Sequence, residues 1–159
     1  MNKIIVNIGD MKISSNPDEC LITYALGSCL GIAIYDPFAK VGGMLHIMLP
    51  NSDVSGKNEK LNPYKYVDKG IPLLFKAAYK SGARKKMINV YFAGCSRVAD
   101  KKGIFNIGNR NYAAARRLLW QNNIFIKAEH CGNNHSRTMS LNLRTGKVSI
   151  KIGLDEIIL

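Results

Sequence analysis

An α+β fold, built as a single domain over residues 1–159, is what this sequence predicts, and three observations lead there. Short runs rich in β-branched and aromatic residues recur along the chain, about eight of them, closed by Gly, Pro, Asn or Asp. Two longer segments carry the three-to-four-residue apolar spacing of amphipathic helices. No internal repeat or linker divides the chain, and 47% of its 159 residues are apolar, enough for one core without covalent staples.

The elements follow in order. Ile4, Val6 and Ile8 alternate with Ile5 and Asn7, a short strand that Gly9-Asp10 ends. Cys20–Leu26 reads as a second strand and runs into Gly27-Ser28-Cys29. Leu30–Tyr35 is a third, closed by Asp36-Pro37, and Val41–Leu49 a fourth, ended by Pro50. Together they predict an N-terminal block of hairpin-like strands. Residues 51–62 are polar and aperiodic, a loop. Asn62-Pro63 opens the first helix, whose apolar face is Tyr66, Ile71, Leu74, Phe75, Ala78 and Tyr79. Gly70 and Pro72 predict a bend or fresh start in it, and Ser81-Gly82 its end. Met87–Ala93 is a buried strand, followed by a loop from Gly94 to Gly108. Asn109–Asn122 is the second helix, with Tyr112, Ala115, Leu118 and Leu119 inward and Arg110, Arg116 and Arg117 outward. Strands are predicted at Ile124–Glu129, Thr138–Leu143 and Lys147–Ile152, the last two joined by the turn Arg144-Thr145-Gly146. The tail, 153–159, is expected to be partly ordered.

Charge and cysteine usage narrow the function classes. Lys and Arg outnumber Asp and Glu by 23 to 11, leaving +12 and a bias toward acidic partners. No helix-turn-helix pattern, aromatic-laced basic sheet or zinc-finger spacing accompanies that charge. A basic nucleic-acid-binding module is therefore a distant alternative, and no nucleic acid is expected as partner. The N-terminus lacks the apolar core of a signal peptide, and no run approaches the roughly 18 apolar residues of a membrane span. A cytoplasmic protein is the expectation. Cys20, Cys29, Cys95 and Cys131 lie at irregular spacings, with Cys95 and Cys131 expected in partly exposed loops and no disulfide framework. His130-Cys131 with His135 is too poor a spacing to read as zinc ligation, so no metal and no cofactor are expected.

Chemistry concentrates at Thr23–Leu30. A strand ends in Gly27-Ser28 with Cys29 immediately after, so small residues let a carbonyl approach the backbone beside a thiol. Amide N–H groups of such a turn are suited to hold a developing oxyanion. A cysteine becomes a nucleophile only with a group that takes its proton, and His46 lies in a strand seventeen residues on. Thr23 is placed to orient that imidazole. Spacing alone does not choose between this reading and a packed small cysteine with a core histidine.

The motifs Thr23-Tyr24-Ala25-Leu26-Gly27-Ser28-Cys29, then Asp36-Pro37, then Gly42-Gly43-Met44-Leu45-His46-Ile47-Met48-Leu49-Pro50, resemble those of the CheD family of bacterial chemoreceptor glutamine deamidases. The likeness continues through Tyr64-Lys65-Tyr66 with Asp68, Ala93-Gly94, and Asn106-Ile107-Gly108-Asn109-Arg110-Asn111, covering about Ile8 to Ile152. It implies a β-sandwich-like core of short strands flanked by helices. It implies Cys29 as nucleophile, His46 as general base and acid, Thr23 as the residue orienting His46, and Gly27 and Ser28 in the oxyanion and substrate region. The implied reaction is hydrolysis of a receptor glutamine side chain to glutamate and ammonia through a Cys29 thioester, with glutamyl methyl esters open to the same route. The implied partners are chemoreceptor cytoplasmic helices and a CheC-type phosphatase, and an adaptor that mainly binds these is the alternative to an enzyme. Two loops depart from the family pattern: Cys95-Ser96 stands where a second Gly is usual, and His130 and Asn133 where an acidic residue and a Gly pair are.

Overall fold

A computed structural model describes residues 1–54, 61–98 and 102–159. Its strands form two five-stranded sheets. One contains, in spatial order, β1 (Asn2–Ile5), β3 (Glu19–Leu26), β8 (Arg137–Asn142), β9 (Val148–Ile152) and β10 (Asp155–Ile158). The other contains β2 (Met11–Ser14), β5 (Val41–Ile47), β4 (Leu30–Asp36), β6 (Asn89–Gly94) and β7 (Ile126–Cys131). Two helices, α1 (Val67–Lys80) and α2 (Ile107–Gln121), complete an α+β architecture with a sandwich-like core. No helix among the described residues is long and apolar enough to cross a membrane.

Strand alternation sets the layers. On β4, Leu30, Ile32 and Ile34 pack with Leu45 and Ile47 of β5 against Ile71, Leu74 and Phe75 of α1 and Ala115 and Leu119 of α2. The opposite face of the same strands, Ala33, Tyr35 and Met44, meets Leu21, Leu26, Met139, Leu141 and Ile150 of the first sheet. The second sheet is thus buried on both faces, which explains why β4 and β5 read as unbroken apolar runs.

The hairpin-like N-terminal block is corrected by this partition. β1 pairs in parallel with β3, and β3 and β4, adjacent in sequence, lie in different sheets. Only β4 and β5 form the expected hairpin, in the register Leu30↔Ile47, Gly31↔His46. Strand β1 stops at Ile5 because residues 6–10 cross between sheets. The Val6 N–H still bonds Ile22 O (2.8 Å), whereas the Gly9 N–H bonds His46 O (2.9 Å) in the second sheet. β2 and β10, short edge strands, were absent from the expected set. The first helix does not restart at Pro72: a 3₁₀ turn at Pro63–Lys65 precedes α1, which runs unbroken through Pro72. Pro72 falls in its second turn, where one hydrogen bond is lost, and Ile71, Leu74 and Phe75 around it are buried in the core. Of the predicted loop 51–62, residues 55–60 lie outside the described residues.

One glycine is required by the way β6 meets the crossover. Gly94 has φ +102°, and a Cβ there would sit 2.2 Å from the carbonyl oxygen of Cys29. Gly94→Ala should therefore destabilise the fold by about 2 kcal/mol or more through strain and backbone displacement. Thermal denaturation should show a Tm lower by about 4–8 °C; an unchanged Tm would mean the two backbones do not need that approach.

Candidate active site

Cys29 sits where the chain passes from the first sheet to the second. β3 carries a bulge between Thr23 and Leu26, with Ala25 in the left-handed region (φ 55°), and Gly27 N–H closes back on Ala25 O at 3.0 Å. The three carbonyls that follow are all tied to other elements. Gly27 O accepts from Ser96 N–H (2.8 Å), Ser28 O from the Asn111 side-chain amide (3.0 Å), and Cys29 O from Cys95 N–H (2.8 Å). The turn is thereby fixed on one side, and a Cβ on Gly27 would meet nothing within 4 Å on the other. Because the Gly27 N–H is already bonded, what Gly27 offers a substrate is open space, and the N–H groups of the turn that remain relevant are those of Ser28 and Cys29.

His46 comes to Cys29 through sheet register. It pairs with Gly31, so a residue two positions before Gly31 is its diagonal neighbour on the same face. Such pairs lie about 7–8 Å apart at Cα, within reach of a long side chain. Cys29 is that residue, and it packs against the inter-sheet core that contains Met44 of the His46 face. Gly31 contributes no side chain between them. The Thr23 hydroxyl reaches His46 from the opposite sheet: Oγ1 lies 2.7 Å from His46 Nδ1 and 2.6 Å from Val6 O.

Those two distances determine the imidazole tautomer. A carbonyl only accepts, so the single hydroxyl proton of Thr23 goes to Val6 O. Thr23 Oγ1 must then accept from His46, which places the ring proton on Nδ1 and leaves a lone pair on Nε2. Nε2 is buried and has no hydrogen-bond partner among the described residues. Burial holds the His46 pKa down, to about 4, and pushes the Cys29 thiol up despite the help of its own backbone N–H. Both shifts favour a neutral thiol and a neutral imidazole, with the basic Nε2 buried.

Around this centre stand residues that sequence reasoning missed. Asn111, fully buried on α2, donates to both Ser28 O (3.0 Å) and Met48 O (3.1 Å). Its signal was present: an amide in the middle of the apolar stripe Gly108, Asn111, Ala115, Leu119 is a buried polar group that requires a reason. Arg137, one residue before the expected strand Thr138–Leu143, is also fully buried, donating to His130 Nδ1 (2.8 Å), Gly132 O (2.8 Å) and His135 O (3.2 Å). That commits His130 to a structural bond. Cys95 does lie in the loop directly after β6 but is buried rather than exposed, whereas Cys131 is partly exposed as expected but ends β7 opposite Gly94 rather than lying in a loop. The hydrogen bond between their side chains, with burial, pushes the Cys95 thiol well up and keeps it protonated. Cys20 lies half-buried on β3. Arg110, Arg116 and Arg117 are exposed on α2, as expected.

Two facing sheets with helices on one outer face define an α+β protein, with half-buried Cys29 where the chain passes between the sheets and a Thr23–His46 hydrogen bond linking them. Comparison with known proteins gives the class a family. The family model described as CheD chemotactic sensory transduction matches residues 48–152. A protein of Syntrophus aciditrophicus named probable chemoreceptor glutamine deamidase CheD 1 is 47% identical over 151 residues, covering 95% of this chain and 94% of that one. A probable chemoreceptor glutamine deamidase CheD of Solibacter usitatus is 40% identical over 148 residues, covering 93% and 88%. This chain belongs to the CheD family. Among solved structures, a Neisseria meningitidis protein superposes with a TM-score of 0.50 at 10% identity, over 84% of this chain and 63% of that one, a likeness of fold alone.

The depressed His46 pKa carries a sign that can be tested. Between about pH 4 and the ordinary value of 6.5 the unfolded chain binds a proton that the folded chain refuses, so stability rises with pH through that window. Acidification from pH 7 to 4 should cost on the order of 3 kcal/mol from this residue. Urea denaturation of the wild type and His46→Gln at both pH values should show a smaller loss in the variant. Equal losses would mean His46 titrates normally. Nitrogen-15 NMR of labelled histidine should report the proton on Nδ1 near neutrality.

Proposed function

We propose that this protein hydrolyses the side-chain amide of glutamines in chemoreceptors, giving glutamate and ammonia through a thioester on Cys29. The observation that carries the reading is the Val6–Thr23–His46 chain of hydrogen bonds, which leaves an unpartnered basic Nε2 on the Cys29 face of β5. The relatives' names, chemoreceptor glutamine deamidases, supply the substrate class.

The reaction runs in two halves. His46 Nε2 takes the thiol proton as Cys29 Sγ attacks the carboxamide carbon, so no free thiolate accumulates beforehand. The carbonyl oxygen becomes an oxyanion beside the Ser28 and Cys29 N–H groups. Collapse expels the amide nitrogen, which leaves as ammonia with the proton from His46. Water then enters, His46 takes its proton, and hydroxide attacks the thioester carbon. Breakdown releases glutamate and returns the proton to the cysteine sulfur. Thr23 acts throughout by keeping Nδ1 protonated and the ring in plane, stabilising the imidazolium that forms in each half.

Receptor cytoplasmic helices and a CheC-type phosphatase are the proposed partners. The net charge of +12 and the exposed Arg110, Arg116 and Arg117 favour encounter with acidic surfaces.

Mass spectrometry of a receptor cytoplasmic fragment incubated with wild type and Cys29→Ala tests the reading. Wild type should convert specific glutamines and the variant none; conversion by both would remove the thioester route, and conversion by neither would favour an adaptor. His46→Ala should lower kcat by about 10²–10⁴, and Thr23→Ala by less, about 10–100-fold, because it acts through the ring. Alkylation of Cys29 by iodoacetamide should be slow at neutral pH and accelerate above pH 9, the thiol being raised by burial. A rate already maximal near pH 6 would instead reveal a thiolate–imidazolium pair.

A further inference from the structure

Three buried side-chain polar atoms lack a hydrogen-bond partner among the described residues: His46 Nε2, Ser96 Oγ and Asn111 Oδ1. Each belongs to a residue at the Cys29 crossover. Asn111 is the one whose bonds reach both halves of the site, since Ser28 O immediately precedes Cys29 and Met48 O lies two residues after His46. Its amide orientation is not arbitrary. Flipping the group would aim Oδ1 at two carbonyl oxygens, so both amide hydrogens must face them and Oδ1 must go without.

We infer that Asn111 is a positioning residue for the oxyanion donor: by holding the Ser28 carbonyl toward α2, it turns the Cys29 N–H to the side where the substrate oxygen becomes negative. The geometry follows from the peptide plane. No peptide bond among the described residues is cis, and in a trans peptide the C=O of one residue and the N–H of the next point in opposite directions. Drawing Ser28 O onto Asn111 Nδ2 therefore directs the Cys29 N–H away from α2. Consistent with this, that N–H lies beside its own sulfur, where it opposes the rise in the thiol pKa. An oxyanion born from attack by Sγ forms within reach of the same N–H.

The close seating of α2 serves the same end. Gly108 lies against Cys95 and Ser96, where a Cβ would come within 2.6 Å of Ser96 O. Without that approach the helix would stand too far off for a side chain as short as asparagine to reach Ser28 and Met48. Gly108 and Asn111 are one turn apart on the buried stripe of α2.

The inference rests on the deamidase reading, and the experiment separates the two. Asn111→Ala is compared with wild type in three assays: conversion of receptor glutamine by mass spectrometry, alkylation of Cys29 by iodoacetamide at alkaline pH, and nitrogen-15 NMR of His46. Alkylation develops no oxyanion, whereas amide hydrolysis does. The expected result is a kcat lower by about 10²–10³ with KM within about threefold, alkylation at the wild-type rate, and an unchanged His46 tautomer. Should Asn111→Ala not fold, Asn111→Asp, which fills the same space without two hydrogens to give, is read in the same way. Wild-type kcat in the variant overturns the inference and leaves the deamidase reading standing. Loss of kcat accompanied by an equal loss of alkylation, or by a changed His46 signal, also overturns it, because Asn111 would then only brace the turn. A wild type that converts no glutamine removes both.

Discussion

The hydroxyl of Thr23 is the constraint on which the site depends. It is one oxygen with one proton, set between a carbonyl from the segment leaving β1 and an imidazole from the other sheet. Because Val6 O claims the proton, the imidazole has one tautomer open to it. The same pair of bonds joins the two sheets at the end where Cys29 lies, so the orientation of the ring and the spacing of the sheets are set together. A valine at this position would fill the space and lose both functions, leaving a carbonyl and a ring nitrogen buried without partners, each costing about 1–3 kcal/mol. Structural and chemical demands meet in one side chain.

Two crossovers flank the candidate site, whose Thr23 and His46 stand on β3 and β5. Residues 6–10 and 27–29 both pass from the first sheet to the second, and backbone that changes sheets has hydrogen-bonding groups that no ladder satisfies. At 27–29 the carbonyls are taken by Ser96, Asn111 and Cys95, leaving N–H groups on the opposite side. At 6–10 the Val6 carbonyl is taken by Thr23 and the Gly9 N–H by His46 O. Polar backbone that the sandwich cannot use in its sheets thus surrounds the candidate site. Among the described residues, the unpartnered buried side-chain atoms belong to His46, Ser96 and Asn111.

Much of this was legible in the sequence, and the limits have physical causes. The strands at Glu19–Leu26, Leu30–Asp36 and Asn89–Gly94 are eight, seven and six residues long and rich in β-formers, so their existence and approximate bounds could be read. Their division between sheets could not, because a strand's composition does not name its partner and the crossover at Gly27–Cys29 looks like an ordinary turn. β2 and β10 have four residues each and are stabilised by pairing at sheet edges rather than by their own pattern. Thr23, Cys29 and His46 are read as candidate site residues through motifs. The Thr23–His46 bond depends on a sheet-to-sheet contact between residues 23 positions apart. Arg137, between Ser136 and Thr138, reads as solvated until its burial is known, whereas Asn111 stands out within the apolar stripe of α2 but its two acceptors come from distant segments. Cys95 was misjudged for a related reason: Gly94-Cys95-Ser96 has loop composition, yet its backbone is fastened to Gly27 and Cys29 and so lies inside.

Charge and chemistry are kept apart in this molecule. Its net charge of +12 resides with side chains such as Arg110, Arg116 and Arg117 on the exposed face of α2, whereas Thr23, Cys29 and His46 are neutral in the resting state. Long-range attraction therefore acts on encounter with an acidic surface and does little to the reacting atoms. Neutrality at the centre has its own logic. A standing thiolate among four cysteines would be open to oxidation at all times, since susceptibility follows thiolate character and exposure. A thiol raised by burial beside an imidazole lowered by burial keeps both groups inert. In the proposed reaction the thiol's reactivity is released as an incoming carbonyl accepts the sulfur's electrons and Nε2 takes its proton. The burial that opposes ionisation in the resting site would by the same physics strengthen N–H dipoles directed at an oxyanion, so one environment would both restrain the proposed nucleophile and assist its reaction.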